Sequence, residues 1–171
     1  MYSAGILPYA IVNGTLHFLL GVDSKEGSYS DFGGRCEKGD DEEPVHTATR
    51  EFYEETCGAV LDPRDLNMED AILITSRTLS KCPYYMYLVH IPWSPQYSTY
   101  FLKISDFIRV LNPAKKYCEK AYICWVAEEM VINMNLRSIF RYTYVKHKME
   151  ILSAIIGHSG KMGMPLALSN S

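Results

Sequence analysis

The sequence predicts a single α/β domain in which strands and helices are mixed rather than regularly alternating. Three observations predict it. Alternating or β-branched apolar runs recur at residues 3–12, 15–22, 71–76, 84–91 and 120–126. Helical periodicity holds over 44–57, 96–110 and 136–156, and no repeat or linker divides the 171 residues. A chain of this length is the size of one domain and buries a normal core without staples. Residues 1–158 are expected to form that domain, and 159–171, small and polar with Gly and Pro, a flexible tail.

In chain order, residues 3–12 read as a strand, and Asn13-Gly14 gives a strong hairpin signal. The return strand sets Leu16, Phe18 and Leu20 against Thr15, His17 and Leu19. A polar loop with Gly27 leads to Ser30–Arg35, which is expected to be a glycine-centred turn, and then to an acidic stretch from Glu37 to Glu43. Pro44 suits a first helical position, and Gly58 stands just past the expected end of that helix. Residues 59–61 are a candidate short strand. The β-branched and aromatic runs at 71–76 and 84–91 follow as strands, and Pro92 and Pro95 punctuate the chain before the second helix. After the strand at 120–126, the last helix is expected to bury Ile139, Tyr142, Val145, Met149, Leu152 and Ile156 on one broad face.

Apolar residues make up 47% and charged residues 22%, the balance of a soluble globular protein. The formal charge of −3 provides no global basic field toward nucleic acid or anionic membrane, and leaves RNA neither supported nor excluded. Five scattered cysteines, with no pair at zinc-ligand spacing, read as reduced packing residues of an intracellular protein. The first residues lack a basic n-region, and no apolar run approaches the roughly 20 residues of a membrane span. A cytoplasmic location without a membrane partner is the expectation.

The informative segment runs from Gly33 to Val60. Glu51, Glu54 and Glu55 stand at i, i+3 and i+4, so their carboxylates leave one helical face within a single turn. Like charges there repel, and a bound divalent cation offsets the repulsion. Hard oxygen ligands favour magnesium, or manganese, over zinc. Arg50 lies four residues before Glu54 and can hold a carboxylate, while Ala48 and Phe52 give the helix an apolar face for a sheet. Gly33 and Gly34 permit close approaches that side chains forbid, and a carbonyl there can complete a metal shell. Arg35 is placed to reach a substrate phosphate.

The segment resembles the Nudix box. Arg50-Glu51-Phe52-Tyr53-Glu54-Glu55 matches its helical core, and Gly33-Gly34-Arg35 its Gly-Gly-Lys/Arg opening. The resemblance covers about 28 residues, 33–60. Two residues more than the pattern separate Gly34 from Arg50, which leaves either Glu42 or Asp40 as the isolated box acid. One extra residue precedes Gly58. Neither change alters the spacing of the three glutamates.

The resemblance implies an α/β/α sandwich with a mixed parallel and antiparallel sheet. It also implies magnesium at Glu51, Glu54 and Glu55, and water attack on a diphosphate phosphorus. Family members bring a further glutamate from a later loop. Glu119 fits that role, with Glu128 and Glu129 as competitors and an exposed loop carboxylate as the plain alternative. Either Glu51 or Glu119 then serves as the base, Arg50 orients the ligands, and Glu55→Gln is expected to abolish most turnover. The implied substrate is a small nucleoside-diphosphate derivative. Two alternatives are a nucleotide-binding protein without turnover and an enzyme removing a cap or 5′ diphosphate from RNA. The last helix can support a homodimer or simply cover the sheet. Lys115, Lys116 and Lys120 read as phosphate-steering or solubilising lysines, His46 as a surface residue, and His90 as a satisfied core histidine. The 84–87 run and Tyr97, Tyr100 and Phe101 read as sheet or core packing, with pocket stacking as the alternative.

Overall fold

The central strand β1 (Ser3–Val12) is apolar on both faces and pairs along both edges. In this computed structural model, residues 1–37, 43–111, 119–161 and 163 are described. Asn13 and Gly14 both take positive φ, so a two-residue turn brings β2 (Thr15–Asp23) back antiparallel, with Val12 opposite Thr15. On the other edge β6 (Pro83–His90) runs parallel to β1, and β5 (Ile72–Arg77) pairs antiparallel with β6. The sheet is therefore mixed, as expected.

The pairing of β1 with β2 ends at Phe18, and the two strands fork. Into the fork come β3 (Tyr29–Ser30), paired with the end of β2, and β4 (Phe32–Arg35), paired antiparallel with the start of β1. The outer edge of β2 takes β7 (Lys120–Ala127). In place of the expected glycine turn at residues 30–35, the end of β3 is followed, after Asp31, by strand β4. Neither Gly33 nor Gly34 has a positive φ; what they provide is space. A Cβ on Gly33 would stand 2.7 Å from the Gly5 Cα, because the two glycines face each other in β4 and β1.

Side chains alternate across the sheet and build two cores. On one face, Ala4, Ile6, Leu19 and Phe32 meet helix α1 (Pro44–Thr56), through Ala48 and Phe52, and helix α2 (Gln96–Leu111), through Tyr97 and Phe101. On the other, Leu7, Tyr9, Phe18, Met86 and Leu88 meet Val131 of the short helix α3 (Glu128–Val131), and Phe140, Tyr144, Ile151 and Ile155 of α4 (Ser138–Lys161). This is an α/β/α sandwich. Among the described residues, no helix is long and apolar enough to cross a membrane.

Three further sequence expectations are corrected. Residues 59–61 form no strand; they follow the α1 cap, where Cys57 and Gly58 both take positive φ and return N–H groups to the Glu54 and Tyr53 carbonyls. The extra residue there is absorbed by placing Cys57 in the left-handed region. The expected buried face of α4 is wrong by about one residue. Of the six expected residues, Ile139 and Leu152 are half-buried against the core, whereas Tyr142, Val145, Met149 and Ile156 are exposed and Phe140, Thr143, Tyr144, Ile151 and Ile155 are inside. Apolar residues surround this helix, so their spacing alone does not choose a face. Finally, α4 continues to Lys161 and buries Ser159, past the boundary expected at 158. His46 is exposed as expected, and His90 is half-buried with its ring edge-to-face on Tyr9. Asp40, Glu42, Lys115, Lys116 and Cys118 lie outside the described residues.

Candidate active site

Phe52 sets the position of the acidic helix. Its ring meets Phe32 edge-to-face, with centroids 5.5 Å apart, and seats α1 over β4. The glutamate face of the helix then lies along the edge of β4 that does not pair with β1.

That edge binds the helix polar group by polar group. Oε2 of Glu55 accepts the Gly33 N–H at 2.9 Å, and the Arg35 carbonyl accepts Nη2 of Arg50 at 3.1 Å. Strand geometry turns the Gly33 carbonyl toward this same open edge, since its N–H points there and Gly33 sits in a pair that exchanges no bonds with β1. Glu51 lies directly over Gly34: a Cβ there would fall 2.3 Å from Oε1 of Glu51. Gly34 is bare because the carboxylate occupies that space.

The acids are held by cations of the chain itself. Nη1 of Arg50 reaches Oε1 of Glu51 at 2.9 Å and Oε2 of Glu54 at 3.3 Å. Nζ of Lys120 lies 3.1 Å from Oε1 of Glu55 and donates to Oγ of Ser30 at 2.9 Å. The Lys120 side chain is 1% exposed and that of Glu55 is 4% exposed. The Ser30 hydroxyl donates to the Asp31 carbonyl, and the carboxylate of Asp31 accepts from the Tyr84 hydroxyl.

Burial pushes the Glu55 carboxyl up to about 7 against the pull of Lys120, and the Glu51 and Asp31 charges push the same way. Burial likewise raises Glu51. Arg50 opposes that rise, and the Glu54 and Glu119 charges add to it. The competitors of Glu119 do not join the cluster: Glu128 is tied to Tyr144 and to Lys148 at 2.9 Å, and Glu129 is exposed on α3.

The chemistry of the donor set fits a hard divalent ion: carboxylates of Glu51 and Glu54 beside a strand carbonyl. It is not a closed cage, because among the described residues no three such side chains converge on one point. Arg50 and Lys120 hold the carboxylates instead.

A cleft of about 570 Å³ shares only the Gly33–Arg35 backbone of β4 with this cluster, and none of the glutamates lines it. Gly33, Gly34 and Arg35 form one wall, Arg137 at the start of α4 stands on another, and Asp31 and Tyr84 line it from the buried side. Both arginines are exposed.

Sequence reasoning placed Glu51, Glu54, Glu55, Arg50, Gly33, Gly34 and Arg35 in one site, and the structure brings them together. It did not single out Asp31 or Arg137, which approach only through the fork and the packing of α4; it read Tyr84 as packing, with pocket stacking as the alternative, and Lys120 as a phosphate-steering or solubilising lysine. A lysine opening an apolar strand was the available signal.

No family model matches the sequence, and no curated protein matches it. Solved structures do match the fold. A Nudix hydrolase from M. smegmatis, RenU, aligns over 91% of this chain and 87% of its own, with a TM-score of 0.57 at 16% identity. An Ap4A hydrolase from C. elegans aligns over 88% and 98%, at 0.58 and 17%. The NUDIX domain of Shewanella oneidensis NrtR, complexed with ADP ribose, aligns over 89% and 88%, at 0.57 and 15%. At such identities the likeness lies in the fold: the mixed sheet and its two helical layers.

Proposed function

We propose that this chain, which has the Nudix fold, is a magnesium-dependent hydrolase cleaving a diphosphate linkage in a nucleoside diphosphate joined to another group. The observation that carries this reading is the one-turn array of Glu51, Glu54 and Glu55, bound through Gly33 and Arg50 to the open edge of β4. Two neighbours support the substrate class, one being an Ap4A hydrolase and one holding ADP ribose.

A divalent cation on this array supplies positive charge to the diphosphate oxygens and acidity to a water. The remaining work falls to the chain. Arg50 fixes Glu51 and Glu54 in register, so neither carboxylate has to be ordered when substrate arrives. Glu51, its basicity raised by burial and by the charges of Glu54 and Glu119, receives the proton of the attacking water. Arg35 faces the cleft from the strand that carries the helix and neutralises charge on the departing phosphate, with Arg137 opposite it. The cleft is of the size that small-molecule ligands fill, which favours a free nucleotide derivative over an RNA chain.

The test is release of phosphate or nucleotide from nucleotide sugars, dinucleoside polyphosphates, modified nucleoside triphosphates, inositol pyrophosphates and capped RNA, with magnesium present. Turnover of a small-molecule class is expected. Nucleotide binding without product in any reaction would replace this reading with a binding role, and turnover of capped RNA alone would replace the substrate class.

A further inference from the structure

We propose that Lys120 is a resident cation of the acidic cluster, occupying the Glu55 side so that the site takes one divalent ion rather than two. This rests on the metal-dependent reading above and concerns how many ions that reading requires.

Four observations carry it. Nζ of Lys120 sits 3.1 Å from Oε1 of Glu55, while Oε2 of the same carboxylate accepts the Gly33 N–H. Each oxygen therefore has a donor supplied by the fold. The lysine is almost wholly enclosed, so it does not present its charge to a substrate phosphate in the cleft. Its position is built: the stem crosses β2 at Gly21, where a Cβ would fall 2.9 Å from both Cδ and Cε of Lys120. A second proton of the ammonium goes to Ser30, which is itself anchored on the Asp31 carbonyl.

The physical consequence follows from charge. Two divalent ions about 3.5–4 Å apart need a carboxylate shared between them to offset their repulsion. Glu55 is the deepest carboxylate of the array and the natural shared ligand. With an ammonium fixed on it, a second divalent ion would meet a buried positive charge at close range. The Glu51 and Glu54 carboxylates, on the Arg50 side, remain for a single ion. Lys120 is thus a positioning residue that sets metal stoichiometry, not one that contacts substrate.

The test counts metal without substrate, using Mn²⁺ as the probe. Titration of the wild-type protein followed by electron paramagnetic resonance should reach one Mn²⁺ per chain, with the spectrum of an isolated ion. Lys120→Met should take up two, with the broadened signal of a coupled pair. Lys120→Met combined with Glu55→Gln, which removes both charges together, should return to one. A coupled pair in the wild-type protein overturns the proposal, as does a folded Lys120→Met variant that still binds one ion. If Lys120→Met does not fold, Lys120→Gln, which keeps a donor for Ser30 without the charge, takes its place and should likewise take up two. The two readings fail differently: no Mn²⁺ bound at millimolar concentration would remove the metal-dependent hydrolase itself, whereas two coupled ions would leave the hydrolase and remove only the role of Lys120.

Discussion

A methyl group on Gly34 would stand 2.3 Å from Oε1 of Glu51, so Gly34→Ala must push that carboxylate aside. The obstructed atom is the tip of a flexible side chain and Gly34 lies in a strand with ordinary backbone angles, so the fold tolerates the change. A shift of about 1 Å at a reacting group costs roughly 100-fold in rate. Gly34→Ala is therefore expected to lose about that much turnover with little change in the thermal midpoint. Gly33→Ala differs, since its methyl meets the Gly5 backbone and the strand pair itself must part. His90 provides a second residue-scale prediction. Burial and the neighbouring His158 hold its pKa below the ordinary histidine value. The folded protein then resists a proton that the unfolded chain accepts, so stability is complete above about pH 6.5 and declines as pH falls toward the depressed folded value. Urea midpoints at pH 7.5 and 5.5 should show this decline, and His90→Gln should reduce it. At this scale the three glutamates and Arg50 were legible because helical spacing fixes their shared face. Lys120 was not, because its burial depends on Gly21 across the sheet, nearly a hundred positions away.

Helix α1 couples core and site, since Ala48 and Phe52 face inward on the same turns that send Glu51 and Glu55 to β4. Removing the Phe52 ring leaves a cavity against Phe32, and such truncations cost about 3–5 kcal/mol. Phe52→Ala should show that loss in denaturant unfolding, whereas Tyr53→Ala, at a half-exposed position on the outer side, should cost far less. The long strands and helices were legible in the sequence because their periodicity runs over many residues. The β3 and β4 strands were not, being two and four residues long and defined only by pairing in the fork. The α4 face failed for a different reason: apolar residues exposed at Tyr142, Val145 and Met149 carry the same spacing as those inside.

As a whole, the molecule builds both cores from apolar side chains rather than from the acidic cluster: α1 and α2 cover one face of the sheet, α3 and α4 the other. Chelation should therefore leave far-UV circular dichroism and cooperative unfolding intact. Magnesium at 100 times its dissociation constant should add about 2.7 kcal/mol, the linkage expected for one ion bound only by the folded state. A protein that loses its secondary structure in chelator would contradict this. The central claim is that the carboxylates on α1 perform diphosphate hydrolysis, and the most direct measurement is turnover with magnesium by wild-type protein and Glu51→Gln on one substrate class. Removing a general base costs about 100- to 10,000-fold, so the folded variant should be at least about 100-fold slower. Equal rates in the two proteins would show that the chemistry lies elsewhere.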